Sequence, residues 1–245
     1  MQTLPERLEN NLLRSLDAED LTILKPHLED WQADAGTVIH RPGEPLRDAF
    51  FPRGASMISY CVVFGRKRSV DTMFVGREGA AGCIVTQGQL PAYTQAQVRT
   101  SGPFWRIRLS RLDEARRQSS NLESVFARYS ECVLAQVFQS VACDSNHSIE
   151  QRAAKWLLTA IDRTGGTNLT LTQEQFASML GIGRSYLSRV VHDLRKRGIL
   201  ETRRNRIIVQ KPDQLRALAC DCDTAVSRHF ATLLKGVYAN KGSGR

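Results

Sequence analysis

The stretch LTLTQEQFASMLGIGRSYLSRVVHDLRKRGILETRRNRIIVQ, residues 169–210, decides the fold. Thr172 followed three residues later by Gln175 fits a capping box, and Phe176, Met179 and Leu180 then supply one apolar face, so a short helix starts here. Gly181-Ile182-Gly183 gives a tight turn with one apolar anchor. A second helix runs from about Arg184 to Arg197, and Gly198 closes it after three consecutive cations. By spacing this is a helix-turn-helix. On the second helix Leu187, Val190, Val191 and Leu194 form a packing stripe, while Arg184, Ser185, Ser188, Arg189 and His192 occupy the other side. Residues at the start of such a helix meet base edges in the major groove, where arginine bonds bidentately to guanine O6 and N7. Arg184 and Arg189 are therefore the expected base readers. Ser185 and Ser188 suit either a phosphate or a base, and His192 and Thr172 complete the expected DNA-contact set. Ile199–Arg203 and Arg206–Gln210 read as two strands turning at Arg204-Asn205, a wing whose Arg203, Arg204 and Arg206 would face phosphates.

Working back toward the amino terminus, DSNHS (144–148) is a break rich in capping residues, and QRAAKWLLTAIDR after it reads as a helix ended by Gly165-Gly166. Residues 111–142 hold no Gly or Pro, and Leu122, Phe126, Tyr129, Val133, Val137 and Val141 recur at three- and four-residue steps. One long amphipathic helix is expected there. Its length and its place between two domains suggest that Leu122, Phe126, Tyr129, Val133 and Val137 form a subunit seam. Earlier still, glycines at 43, 54, 65 and 76 separate β-rich runs such as MISYCVVF (57–64) and SVDTMFV (69–75), which favours a compact β-roll or barrel. Trp105, Ile107 and Leu109 alternate with Arg106 and Arg108 as one more strand, so the β region ends near Ser110. Residues 6–30 read as short helical turns, with Asp17 or Asp20 available as a cap. The NKGSGR tail is expected to be disordered.

Charge placement supports the reading of 169–210. The net charge is +9; residues 1–145 carry 17 Lys+Arg against 17 Asp+Glu, and residues 146–245 carry 17 against 8. The whole basic excess lies in the last hundred residues, as attraction to a polyanion such as DNA requires. No apolar run approaches the roughly 20 residues that cross a bilayer, and the polar start is no secretory signal, so a cytoplasmic protein is expected. The six cysteines lack the dense spacing of a disulfide scaffold and read as reduced thiols. Cys220-x-Cys222 is the one close pair, and a CxC without a second pair or matching His is a weak metal signal. Only His27 and His40 precede residue 146, and no nucleophile–base pair or phosphate-cradling loop is evident. No enzyme, metal or cofactor is expected.

With its β-roll, long helix and winged helix-turn-helix in that order, the chain resembles the Crp/Fnr superfamily of bacterial transcription regulators over nearly its full length. GIGRSYLSR (181–189) resembles the family's recognition-helix segment. HSIEQRAAKWLLTAIDR and ALACDCD resemble a poorly characterised branch, which favours a structural role for Cys220 and Cys222 over a metal site. The resemblance implies an α+β fold. Residues 1–110 would form a β-roll like the cyclic-nucleotide-binding jelly roll, 111–145 a dimerisation helix, and 146–245 a winged helix-turn-helix. It implies duplex DNA, a second copy of the chain and RNA polymerase as partners. Arg184 and Arg189 fall on the family's base-contacting arginines, and Ser185 stands where a glutamate is common, which puts the family's best-known half-site in doubt.

The sensory half departs from the family. Members that bind a cyclic nucleotide hold it with a Gly-Glu pair and, about ten residues on, an Arg followed by a small polar residue. Here Gly82-Cys83 and Thr94-Gln95 fall at those places, so cyclic AMP is not expected to bind in the usual way. Arg77, Glu78 or Arg99 is expected to serve instead if another anion is the effector. The amino-terminal cysteine cluster of the oxygen-sensing iron–sulfur branch is also missing, since the first cysteine is Cys61. The competing reading is a ligand-binding signalling module whose basic carboxy-terminal half docks a protein.

Overall fold

The structure, a computed structural model, describes residues 8–64, 68–84 and 90–237. The expectation for the NKGSGR tail falls outside these residues. The described chain opens with α1 (Asn11–Arg14) and α2 (Ala18–Leu24), each started by a side-chain cap. Asn10 is fully buried: its Oδ1 accepts from the Leu13 amide at 3.0 Å, and its Nδ2 donates to the Pro52 and Gly79 carbonyls, both at 2.9 Å. One side chain therefore caps a helix and ties it to the sheets behind. Asp17, rather than Asp20, caps α2.

Seven strands follow: β1 (Glu29–Ala33), β2 (Val38–His40), β3 (Asp48–Pro52), β4 (Met57–Phe64), β5 (Arg68–Val75), β6 (Gln95–Thr100) and β7 (Gly102–Arg108). They make two antiparallel sheets, ordered β1-β7-β3 and β2-β6-β4-β5. Phe50, Ile58, Ala96, Val98 and Phe104 meet between them, and Trp31 closes that core, 4.7 Å from Phe50 and 5.4 Å from Phe104 between ring centroids. Gly43 and Gly54 turn the chain at positive φ, 83° and 55°. Gly76 is required for a different reason, because a Cβ there would lie 2.9 Å from Cβ of Arg163.

The long helix expected from residue 111 is two helices, α3 (Leu109–Gln118) and α4 (Ser120–Asn146). Ser119 breaks them. Its backbone is extended, and its hydroxyl accepts from the Leu122 amide at 3.1 Å while donating to Asp20 at 2.6 Å. On the stripe expected as a seam, Leu122, Phe126, Tyr129 and Val133 are buried in the chain's own core against the roll, and Val137 packs partly buried beside them. The Tyr129 hydroxyl donates to the Ala80 carbonyl and accepts from the Ala80 amide, each at 2.9 Å. The large apolar side chains that α4 exposes are Leu134, Phe138 and Val141, at 45%, 65% and 63%.

The remaining chain forms α5 (Ile149–Thr164), β8 (Asn168–Leu169), α6 (Gln173–Leu180), α7 (Arg184–Lys196), β9 (Leu200–Arg203), β10 (Arg206–Val209), α8 (Pro212–Leu218) and α9 (Cys222–Leu233). Strands β8-β10-β9 make a small sheet, and Ala153, Leu157, Phe176, Leu187, Leu194 and Ile207 fill the core between it and the helices. Met57 and Phe74 of the roll join that core, Phe74 standing edge-on to Trp156 at 4.3 Å. A buried ion pair, Arg163 Nε to Glu78 Oε1 at 3.2 Å, latches the winged unit to the roll. Helix α9 runs back along α4, placing Val226 and Phe230 in the roll-side core. Among the described residues no helix is long and apolar enough to cross a membrane.

Candidate nucleic-acid interface and effector cavity

Helix α6 starts on the expected capping box: Thr172 Oγ1 accepts from the Gln175 amide at 3.1 Å, and Gln175 Oε1 accepts from the Thr172 amide at 2.8 Å. Gly181 ends it in the left-handed region, φ 66°, a conformation that costs a residue with a Cβ about 1 kcal/mol or more. The chain re-enters a helix at Arg184 after Gly183, which offers no side-chain cap; the Tyr186 and Leu187 amides bond to the Gly183 carbonyl, and those of Arg184 and Ser185 have no partner among the described residues. Leu187, Val191 and Leu194 fix the inner face of α7. This leaves Arg184, Ser185, Arg189 and His192 exposed.

Charge at this surface divides into paired and unpaired cations. Arg197 pairs with Glu150 and Arg203 with Glu201, each at 2.8 Å, and Arg203 holds the Glu201 carboxyl below its ordinary pKa by hydrogen bond and charge. Among the described residues Arg184, Arg189, Arg204 and Arg206 have neither an ion pair nor a side-chain hydrogen bond. The Arg189 guanidinium sits 5.1 Å from the centroid of the Tyr186 ring, which narrows its rotamers without using its donors. Asn205 takes φ 57° at the tip of the wing and lets Arg203 pair with Arg206 across the hairpin. Ser188 differs from expectation: it is half-buried, and its hydroxyl donates to Gln173 Oε1 at 2.9 Å, clamping α7 to α6.

A cavity of about 300 Å³ lies between the roll and α4. His40, Tyr60, Thr72, Gly82, Thr94 and Val133 are among its walls, and no charged side chain is, among the described residues. Burial holds His40 below its ordinary pKa and so neutral, and it pushes the Tyr60 phenol up. The Tyr60 hydroxyl accepts from the Gly82 amide at 2.7 Å. The space can take a small uncharged molecule and offers a phosphate no counter-charge.

Residues 151–218 match the family described as the Crp-like helix-turn-helix domain. A regulator of the Crp/Fnr family from Eubacterium rectale superposes with a TM-score of 0.64 at 17% identity, over 84% of this chain and 96% of that one. FixK2 of Bradyrhizobium japonicum gives 0.66 at 16%, over 79% and 98%. A Crp-family regulator from Thermus thermophilus gives 0.65 at 17%, over 77% and 95%. The chain has the Crp/Fnr fold. No curated protein matches it by sequence.

Within this Crp/Fnr fold the sensory candidates separate. Gly82 and Thr94 line the cavity. Arg77, Glu78, Cys83 and Arg99 do not. Arg77 donates to the Asp162 carbonyl at 3.1 Å, Glu78 is spent on Arg163, and Arg99 pairs with buried Asp71 and donates to Ser59 at 2.7 Å. Cys83 is buried outside that cavity, which pushes its thiol up to about 12. Long-range pairing therefore consumed the ions that a linear reading left free. Two features went unread in the sequence. Tyr186 precedes Arg189 by three residues, the helical spacing at which side chains stack. Cys143 and His147, four apart at the end of α4, meet Cys220 and Cys222 in space.

Proposed function

We propose that this chain is a DNA-binding transcription regulator, a homodimer that reads a palindromic site through α7 and does so without cyclic AMP. One observation carries the reading: Arg184 and Arg189 stand exposed and unpaired on the outer face of the second helix of a Crp-like helix-turn-helix. Among the described residues neither guanidinium has an ion-pair partner, so their donors await a ligand, and guanine O6 and N7 match a guanidinium fork. Arg204 and Arg206 on the wing add phosphate contacts, which position the protein without reading sequence. Thr172, at the amino end of α6, and Ser185 lie where a phosphate or base edge would pass.

Pairing of two copies rests on Leu134, Phe138 and Val141, three exposed apolar side chains at steps of four and three along α4. Such a stripe is the geometry of a two-helix seam. Independence from cyclic AMP rests on the uncharged cavity, whose effector would be a small, largely apolar molecule. RNA polymerase is the partner such a regulator implies, and the cytoplasm its place of work. The proposal assigns no reaction.

The test is to sequence genomic fragments that co-purify with the protein and to titrate the recovered duplex against salt. The expected site has two inverted half-sites about one helical turn, roughly 34 Å, apart, and affinity falls steeply as salt rises. Added cyclic AMP should leave that affinity unchanged. Absence of duplex binding at low salt contradicts the proposal and favours a protein-docking role for the basic half; tightening by cyclic AMP contradicts its effector clause.

A further inference from the structure

We propose that Cys143, His147, Cys220 and Cys222 form a closed, four-ligand site for one zinc ion that ties the end of α4 to the start of α9. The four ligand atoms all lie within 4.8 Å of one another. Cys143 Sγ is 3.6 Å from Cys220 Sγ, and Cys222 Sγ is 3.6 Å from His147 Nδ1. A tetrahedron with metal–sulfur bonds of about 2.3 Å and a metal–nitrogen bond of about 2.1 Å has edges of about 3.6 to 3.8 Å. The Cys143–Cys220 and Cys222–His147 spacings match those edges, and the remaining pairs lie within 4.8 Å. They leave room for one ion and none for a polynuclear cluster. Three cysteines with one histidine is also a structural zinc set, with no fourth position left open for a substrate.

The surroundings are those of a metal centre rather than of three idle thiols. Lys155, on α5, is only 8% exposed and has no carboxylate within ion-pair distance among the described residues; its Nζ points at Cys143 Sγ, 3.3 Å away. A buried ammonium without a counter-charge is costly. Zinc with three thiolates and a neutral imidazole carries a net charge of −1, and Lys155 cancels it. On the other side Gln139 donates its amide to Cys222 Sγ at 3.2 Å, the kind of outer hydrogen bond that orients a thiolate ligand. Filling the site sends three thiol protons to solvent and leaves four bonds to the metal.

The placement gives the ion a task. Cys143 sits on the last turn of α4 and His147 caps its end, where the chain hands over to the winged unit through α5, while Cys220 and Cys222 lie where α8 hands over to α9. One ion therefore fastens both ends of the winged unit to the helix proposed to join two copies. A loss of zinc would free the unit at its hinge.

The full-length protein, purified without chelator, should contain one zinc per chain by elemental mass spectrometry. After chelation, titration with cobalt(II) should give the intense visible bands of a tetrahedral thiolate site, saturating at one equivalent. Cys220→Ser should abolish both signals, and Lys155→Met should weaken metal affinity about 10- to 100-fold while keeping one equivalent. If Cys220→Ser does not fold, the wild-type metal content and cobalt spectrum decide alone. Substoichiometric zinc without cobalt bands overturns the proposal, as does stoichiometric iron in place of zinc. An intact mass two hydrogens light, with a Cys143–Cys220 disulfide in the reduced-cell preparation, also overturns it.

Discussion

Arg189→Ala removes a guanidinium that, among the described residues, stacks on the Tyr186 ring, 5.1 Å away and itself exposed, and makes no ion pair. A cation–π pair at such a surface contributes about 0.5–1 kcal/mol, so the melting transition should barely move. The cost should fall on DNA. A bidentate arginine–guanine contact discriminates by about 1–3 kcal/mol, and a two-fold site holds two of them. The loss is then about 2–6 kcal/mol, or about 30-fold to about 10⁴-fold in affinity. Against a scrambled duplex the variant loses only one positive charge per half-site, so binding should fall far less. Fluorescence anisotropy on the recovered operator and on its scrambled counterpart, at one fixed salt concentration, gives both numbers; Arg184→Ala should behave alike. The reasoning is refuted if operator affinity stays within twofold, or if both duplexes weaken equally, which would make Arg189 a phosphate contact.

Other perturbations act on the same interfaces and on the buried core. Arg204→Ala, on the unpaired tip of the wing, should weaken all duplexes and reduce the slope of log affinity against log salt by about 0.9 per half-site, read from a salt titration; an unchanged slope removes the wing from the interface. Phe138→Asp places a charge in the exposed stripe of α4 and should shift sedimentation from dimer to monomer with folding intact, whereas a dimer that survives argues for another seam. Tyr129→Phe strands the buried amide and carbonyl of Ala80 and should cost about 1–3 kcal/mol in denaturant unfolding, since both bonds lack a substitute. Burial holds His40 below its ordinary value of 6.5, so the unfolded chain takes up this proton first as pH falls. Stability present at neutral pH should decline from about pH 6.5 down to the lowered native pKa and level off below it. His40→Gln should flatten that part of the profile; an unaltered profile would show that other groups set it.

What could be read from the sequence was written in local chemistry. The capping box of Thr172 and Gln175, the left-handed positions at Gly181, Gly198 and Asn205, and the apolar steps at 187, 191 and 194 each act within a few residues, and all recur in the structure. Periodicity on α4 was also visible, but a stripe does not say what covers it. Leu122, Phe126 and Tyr129 repeat as a subunit seam would, and the roll claims them first because it stands a few residues away in the same chain. The break at Ser119 hides in a run of polar residues that also suits a helix interior. The charged sensory candidates stand outside the cavity for a different reason: Glu78 and Arg99 find partners at residues 163 and 71, and no local rule announces such pairs. Cys143 on the last turn of α4 and His147 at its C-cap stand four residues apart, a signal that gains meaning only when folding brings Cys220 and Cys222 beside them.

The central claim is that α7 lies in the major groove. Dimethyl sulfate attacks guanine N7 on that groove's floor, so footprinting the recovered operator examines the contact itself. The account predicts protected guanines in two patches one helical turn apart, with protection lost in Arg184→Ala and Arg189→Ala. Full reactivity at every guanine while the protein remains bound would contradict it.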